Sequence, residues 1–118
     1  MAALLSSTGG LAQWFAVIGE PTRIAILREL AAGSRCVTEL ARALDTEMAN
    51  VSHHVRLMQG AGLVTSERRG RHVIYTLAGV PERLKDGGLR LAHAATGAAA
   101  ELPPPPAPEA QPRSATGV

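Results

Sequence analysis

The chain has 118 residues, room for one domain, and a formal net charge of +2. Its single cysteine excludes an intramolecular disulfide and fits a reducing cytoplasm, and no apolar run is long enough to span a bilayer. Paired carboxylates, a nucleophile–base constellation and a phosphate-binding glycine loop are all missing, so neither an enzyme nor a cofactor is expected.

The opening MAALLSSTGGLA lacks the basic start and continuous apolar stretch of a signal peptide, which again points to the cytoplasm. Small, weakly patterned residues make 1–9 a flexible N-terminal segment. At the other end, ELPPPPAPEAQPRSATGV has four consecutive prolines and too little apolar surface for a core, so 101–118 is read as a disordered or polyproline II tail. Residues 10–100 remain as the folded domain.

A first helix is predicted over Leu11 to Ile18, carrying Trp14 and Phe15 and ended by Gly19. Pro21 suits the first turn of a second helix, whose inner face is Ile24, Leu27 and Leu30 with Ile26 and Ala31. Gly33 is expected to close it in a left-handed cap. A short third helix, about Val37 to Leu44, has Cys36 at its N-cap and Glu39 in capping-box register. Asp45-Thr46 forms the turn into a fourth helix, with Thr46 as N-cap and Met48, Val51, Val55 and Met58 spaced for one inner face. Glu47, Asn50, His53 and Arg56 fall largely outward, and Gly60 and Gly62 end the helix.

Leu63 to Ser66 and His72 to Leu77 read as paired strands around Arg68-Arg69-Gly70-Arg71. A last, weaker helix is predicted from near Pro81, with Leu84, Leu89 and Leu91 and a run of alanines, interrupted by Gly87-Gly88. The fold class is therefore mainly α with a small β-hairpin: a winged helix-turn-helix of about five helices plus a two-stranded wing.

That order of elements carries a functional expectation. A helix with a polar, basic outer face can enter the major groove while a basic hairpin reaches the neighbouring backbone. Eleven of the twelve basic residues are arginine, and Arg68, Arg69 and Arg71 lie within four positions. Arginine forks match phosphate oxygens and guanine edges. On the helix, Asn50 and Ser52 suit base edges or phosphates, His53 either, and Arg56 the backbone. His54 lies between the inner positions Val51 and Val55, so it is assigned to packing. His53 and His54 point about 100° apart and are not placed to chelate one metal. Glu47 suits the helix dipole but repels phosphate; it reads a cytosine amino group or points away.

GEPTRIAILREL, VTELARAL, NVSHHVRLMQGAGLV and RRGRHVIYTL occur in this order and spacing. Together, over about Ala12 to Leu77, they resemble the ArsR/SmtB family of bacterial transcriptional regulators. The resemblance implies a homodimer built from the first and last helices, a recognition helix and wing in each subunit, a double-stranded DNA operator as partner, and repression relieved by a ligand. Arsenic- and cadmium-type members carry a Cys-x-Cys pair at the third helix, where this chain has Cys36-Val37-Thr38. Zinc-type members place paired Asp and His ligands on the last helix, where Asp86 and His93 stand seven apart. Neither metal site carries over, so no metal is assigned and the inducer is unknown.

Cys36 has two readings. Beside Arg35 and at a helix start, it is a candidate redox sensor; the alternative, which is preferred, is that it replaces a Ser/Thr cap and does nothing else. For the dimer, Trp14, Phe15 and Ile18 with Leu84, Leu89 and Leu91 exceed what so small a domain is expected to bury alone. A two-fold dimer would hold its recognition helices about 34 Å apart, one DNA turn. Beside the leading reading, a homodimeric DNA-binding repressor, stands a winged-helix protein-interaction module without operator binding, assisted by the proline-rich tail.

Overall fold

The computed structural model describes residues 2–79, 81–93 and 96–105. Helices α1 (Ala2–Ile18), α2 (Pro21–Ala32), α3 (Val37–Leu44) and α4 (Met48–Gly60) alternate with strands β1 (Arg35–Cys36), β2 (Val64–Arg69) and β3 (His72–Leu77). Three further strands follow: β4 (Glu82–Arg83), β5 (Leu89–Ala92) and β6 (Ala99–Leu102). No helix of the described residues is long and apolar enough to cross a membrane.

One apolar cluster joins every part. Trp14, Val17 and Ile18 of α1, Ile26, Leu27 and Leu30 of α2, Leu40 of α3 and Val51, Val55 and Met58 of α4 meet in it. Val64 and Leu77 at the roots of the wing, and Leu89, Leu91 and Leu102 of the last strands, complete it. The inner positions of α4 recur at three- and four-residue steps, as one face of a 3.6-residue helix requires.

Local chemistry sets the helix ends. Glu20 caps α2, its carboxylate accepting the Arg23 N–H at 2.9 Å, with Pro21 in the first turn. Gly33 closes α2 in an extended conformation (φ 158°, ψ 164°), not the left-handed one expected. The left-handed residue is Asp45 (φ 52°), which ends α3 while the Thr46 N–H reaches back to the Ala41 carbonyl at 3.0 Å. Thr46 therefore still belongs to the turn, and the N-cap of α4 falls one residue later, at Glu47.

The wing is larger than a hairpin. β1 pairs antiparallel with β3, placing Cys36 opposite Ile74, so the sheet has three strands in the order β1-β3-β2. β2 runs through to Arg69, opposite His72, and the turn is only Gly70-Arg71. Gly70 takes φ +63°, a conformation that costs a side-chain-bearing residue but not glycine.

Past the wing the expected last helix is not formed. β4, β5 and β6 make a second antiparallel sheet in that order. Gly87 and Gly88 disfavour a helix, and Leu89 and Leu91 stand two residues apart, which puts both on one face of a strand. Burial along β5 alternates accordingly. Asp86 accepts the Gly88 N–H at 2.8 Å in the connecting turn. Arg90, on the outer face, pairs with Glu101 on β6 and with Glu82 on β4 at 3.5 Å. Four helices and two three-stranded sheets thus replace about five helices and a two-stranded wing among the described residues.

Regular secondary structure extends beyond 10–100 at both ends. α1 runs back to Ala2, where Ala2, Ala3, Leu4 and Leu5 are strong helix formers. β6 carries the fold to Leu102, which is buried, and Arg28 of α2 donates to the Pro103 carbonyl at 2.6 Å. Of the proline-rich tail, residues 106–118 lie outside the described residues.

Candidate nucleic-acid interface

α4 is fastened from behind by a polar cluster. His54 is 8% exposed, and its Nδ1 lies 3.1 Å from Nη1 of Arg23. Arg23 in turn donates through Nε to the Val17 carbonyl at 2.6 Å, tying α1, α2 and α4 together. Burial pushes the His54 imidazole below its ordinary pKa of 6.5, a tendency the nearby Glu20 carboxylate opposes and Arg23 and His53 reinforce. The Arg23 N–H holds the Glu20 carboxyl below its ordinary value. Neutral His54 is the form that accepts from the guanidinium.

The opposite face of α4 is open. Asn50, His53 and Arg56 are exposed and Ser52 is half-buried. Asn50 is already oriented: its Nδ2 donates to Thr46 Oγ1 at 3.1 Å, which leaves its carbonyl and one N–H unused by that bond. Met48 departs from the inward position expected of it and is 52% exposed, with its sulfur 3.9 Å from Thr38 Oγ1. It sits in the first turn of α4, before the helix reaches the core at Val51. Leu57 is also exposed. The Met48 position was not legible from spacing alone, because one turn of offset at a helix start decides whether a residue meets the core. Glu47 is exposed and makes no cap bond with its side chain.

The wing presents Arg68, Arg69 and Arg71, all exposed, with His72 exposed beside them. Pairing through Arg69 has a consequence the sequence pattern did not carry. Arg68 and Arg69 are neighbours on one strand, opposite Val73 and His72, so they project to opposite faces. Arg69 shares its face with Glu67, whose carboxylate lies 3.3 Å from its guanidinium. Gln59 near the end of α4 donates to Ser66 Oγ on β2 at 3.0 Å, so helix and wing are joined directly.

Of the six residues expected to be surplus to one chain, four are consumed within it. Trp14, Ile18, Leu89 and Leu91 are buried in the core, because the terminal sheet folds back over α1. Leu84 is half-buried, and Phe15 is 42% exposed. Cys36 is half-buried; its N–H donates to Glu39 Oε1 at 2.9 Å, and that bond lowers the Glu39 pKa. Asp86 and His93 are engaged locally, Asp86 with Gly88 and His93 Nδ1 with Thr96. Among the described residues no three of His, Cys, Asp or Glu converge on a metal-sized site.

Three helices packed under a basic β-wing, the last of them open on its outer side, define a winged helix-turn-helix. The Helix-turn-helix domain model matches residues 18–67. The HTH-type transcriptional repressor SmtB of Mycobacterium tuberculosis is 46% identical over 61 residues, 52% of this chain. The chain spans about half of that repressor's length, 45%. The uncharacterized HTH-type transcriptional regulator MJ1325 of Methanocaldococcus jannaschii is 34% identical over 64% of this chain and 83% of its own. Among solved structures, the homodimeric winged helix-turn-helix DNA-binding domain of Mb0332 from Mycobacterium bovis, a possible ArsR-family transcriptional regulator, superimposes with a TM-score of 0.60. It is 31% identical, over 66% of this chain and 69% of that one. The chain belongs to the ArsR/SmtB family of winged helix-turn-helix transcriptional regulators.

Proposed function

We propose that this chain is a sequence-specific DNA-binding repressor acting as a two-fold homodimer. The observation that carries the reading is the pairing of an open α4 face, bearing Asn50, Ser52, His53 and Arg56, with the exposed arginines of the wing. Asn50 and Ser52 read base edges; Arg56, Arg68, Arg69 and Arg71 neutralise phosphates. Met48 adds an apolar contact suited to a thymine methyl group. The names of the relatives, SmtB as a repressor and Mb0332 as a homodimeric DNA-binding domain, point the same way.

With Trp14, Ile18, Leu89 and Leu91 used inside the chain, the dimer contact falls on the outer side of α1, where Phe15 stands between the exposed small residues Ala12 and Ala16. Small residues let two helices approach closely around such a ring. Cys36 acts as a helix cap: its N–H makes the capping bond with Glu39, and that bond needs no thiol.

The test is fluorescence anisotropy with duplexes selected from a random pool, over a salt series. Tight, sequence-dependent binding of two chains per duplex, falling log-linearly with salt, is the expected result. Sequence-independent binding, or none at low salt, would overturn operator recognition and favour the protein-interaction reading.

A further inference from the structure

A cavity of about 190 Å³ lies where α1, the root of the wing and the terminal sheet meet. Trp14, Gly62, Leu63, Ala78, Gly79 and Leu91 form most of its wall, and among the described residues no charged side chain lines it. Trp14, Leu63 and Leu91 are buried. A cavity of about 150 Å³ is large enough to accept a benzene ring, so this one has room for a single substituted ring.

Its wall also carries the aromatic ring of Trp14. Trp14 is 2% exposed and meets the rings of Phe15 and His93 edge-on, at 4.9 and 5.4 Å. With no countercharge among its described lining residues, the site selects against ions and for a neutral ring.

The position of the cavity gives occupancy a consequence. Leu63 holds two joints: its N–H donates to the Met58 carbonyl at the end of α4 at 2.9 Å, and its carbonyl accepts the Ala78 N–H at the end of β3 at 2.9 Å. A ring pressed against Leu63 acts on the helix and the wing together.

We infer that this cavity binds a small neutral aromatic compound, such as an aromatic ketone, and that filling it shifts α4 against the wing and weakens DNA binding. The effect on DNA rests on the proposed repressor function; the binding does not.

Trp14 is the only tryptophan, so its indole N–H gives one resolved proton–nitrogen resonance. Titration of the full chain with acetophenone moves that resonance saturably, while benzoate, of similar size but charged, leaves it in place. Ala78→Leu fills the cavity and abolishes the response; Ala92→Leu, at another wall position, serves if the first variant does not fold. No saturable shift in the wild type, an equal shift with benzoate, or an undiminished shift in a folded filled variant overturns the site. In the DNA arm, acetophenone weakens duplex binding by the wild type about fivefold or more and leaves the filled variant unchanged. A saturated resonance with unchanged duplex affinity overturns the coupling. Absence of duplex binding without acetophenone would count against the repressor function, and the site would then be decided by the resonance alone.

Discussion

The wing and the terminal sheet have the same number of strands and opposite burial. Along β2 only Val64, at the root, is buried, and along β3 only Leu77 opposite it. The rest of β2 stands in solvent with its arginines outward, while Val73, Ile74 and Tyr75 of β3 are half-buried. In the terminal sheet Leu89, Leu91 and Leu102 turn into the core and close over Trp14, while Arg90 and its two glutamates face out. One sheet presents charge and contributes little to the core; the other completes the core and presents little. Stability and DNA affinity should therefore be separable by mutation.

The largest expected effect tests that separation. Leu91→Ala removes a core side chain from the terminal sheet and should cost about 2–5 kcal/mol in urea unfolding. Arg68→Ala on the wing should stay within about 0.5 kcal/mol. Equal losses would break the contrast.

Gly88 distinguishes the observed sheet from the helix expected there. A Cβ at Gly88 would stand 2.6 Å from the Leu102 carbonyl oxygen, so Gly88→Ala forces β6 away and should destabilise by about 1–3 kcal/mol. In a helix the same change would stabilise by about 1 kcal/mol. The sign of the shift in thermal midpoint decides between them.

The division within the DNA-binding surface comes next. Asn50→Ala or Ser52→Ala should cost about 1–3 kcal/mol at a selected duplex and relax its sequence preference. Arg71→Ala should weaken all duplexes alike and reduce the salt slope by about 0.9. If both classes of variant change sequence preference, helix and wing do not share the work as described. Glu67 sharpens the account of the wing: its carboxylate occupies Arg69, so Glu67→Gln should tighten binding to any duplex, by less than about 1 kcal/mol. Unchanged affinity would show that Arg69 takes no part.

The smallest effect concerns pH. The folded-state pKa of His54 lies below the ordinary 6.5, so below that pH the unfolded chain takes up the proton first. Stability then falls with pH until the lowered folded-state value is passed, and is constant in this respect above 6.5. His54→Gln, which keeps an acceptor for Arg23, should remove that decline in thermal unfolding measured from pH 7.5 to 5. A decline that persists in the variant would assign it to other groups.

How far the sequence reached differs along the chain. Residues 21–77 were legible in outline, since α2 and α4 bury residues at helical spacing and the paired strands flank a glycine turn. Local chemistry in the same stretch was less so: Glu20 as cap, the shift of the α4 cap to Glu47 and the outward Met48 depend on where a helix starts to within one residue. The candidate surface of Asn50, Ser52, His53, Arg56 and the wing arginines was named from types and spacing. The opposed projection of Arg68 and Arg69, and the hold of Glu67 on Arg69, needed the register of β2 on β3.

By itself, then, the sequence determined what local periodicity and turn chemistry can determine: the helix-turn-helix, the basic hairpin after it, and the residue types they expose. Tertiary structure decided the rest. Between Pro81 and Leu102 a helix and a meander both find support in short-range pattern, and the choice rests on contacts between residues far apart in sequence. Leu89 and Leu91 reach the core beside Trp14, and Arg90 bridges Glu82 and Glu101 across three strands. Such contacts form only when the strands are already side by side, so no window of neighbouring residues contains them.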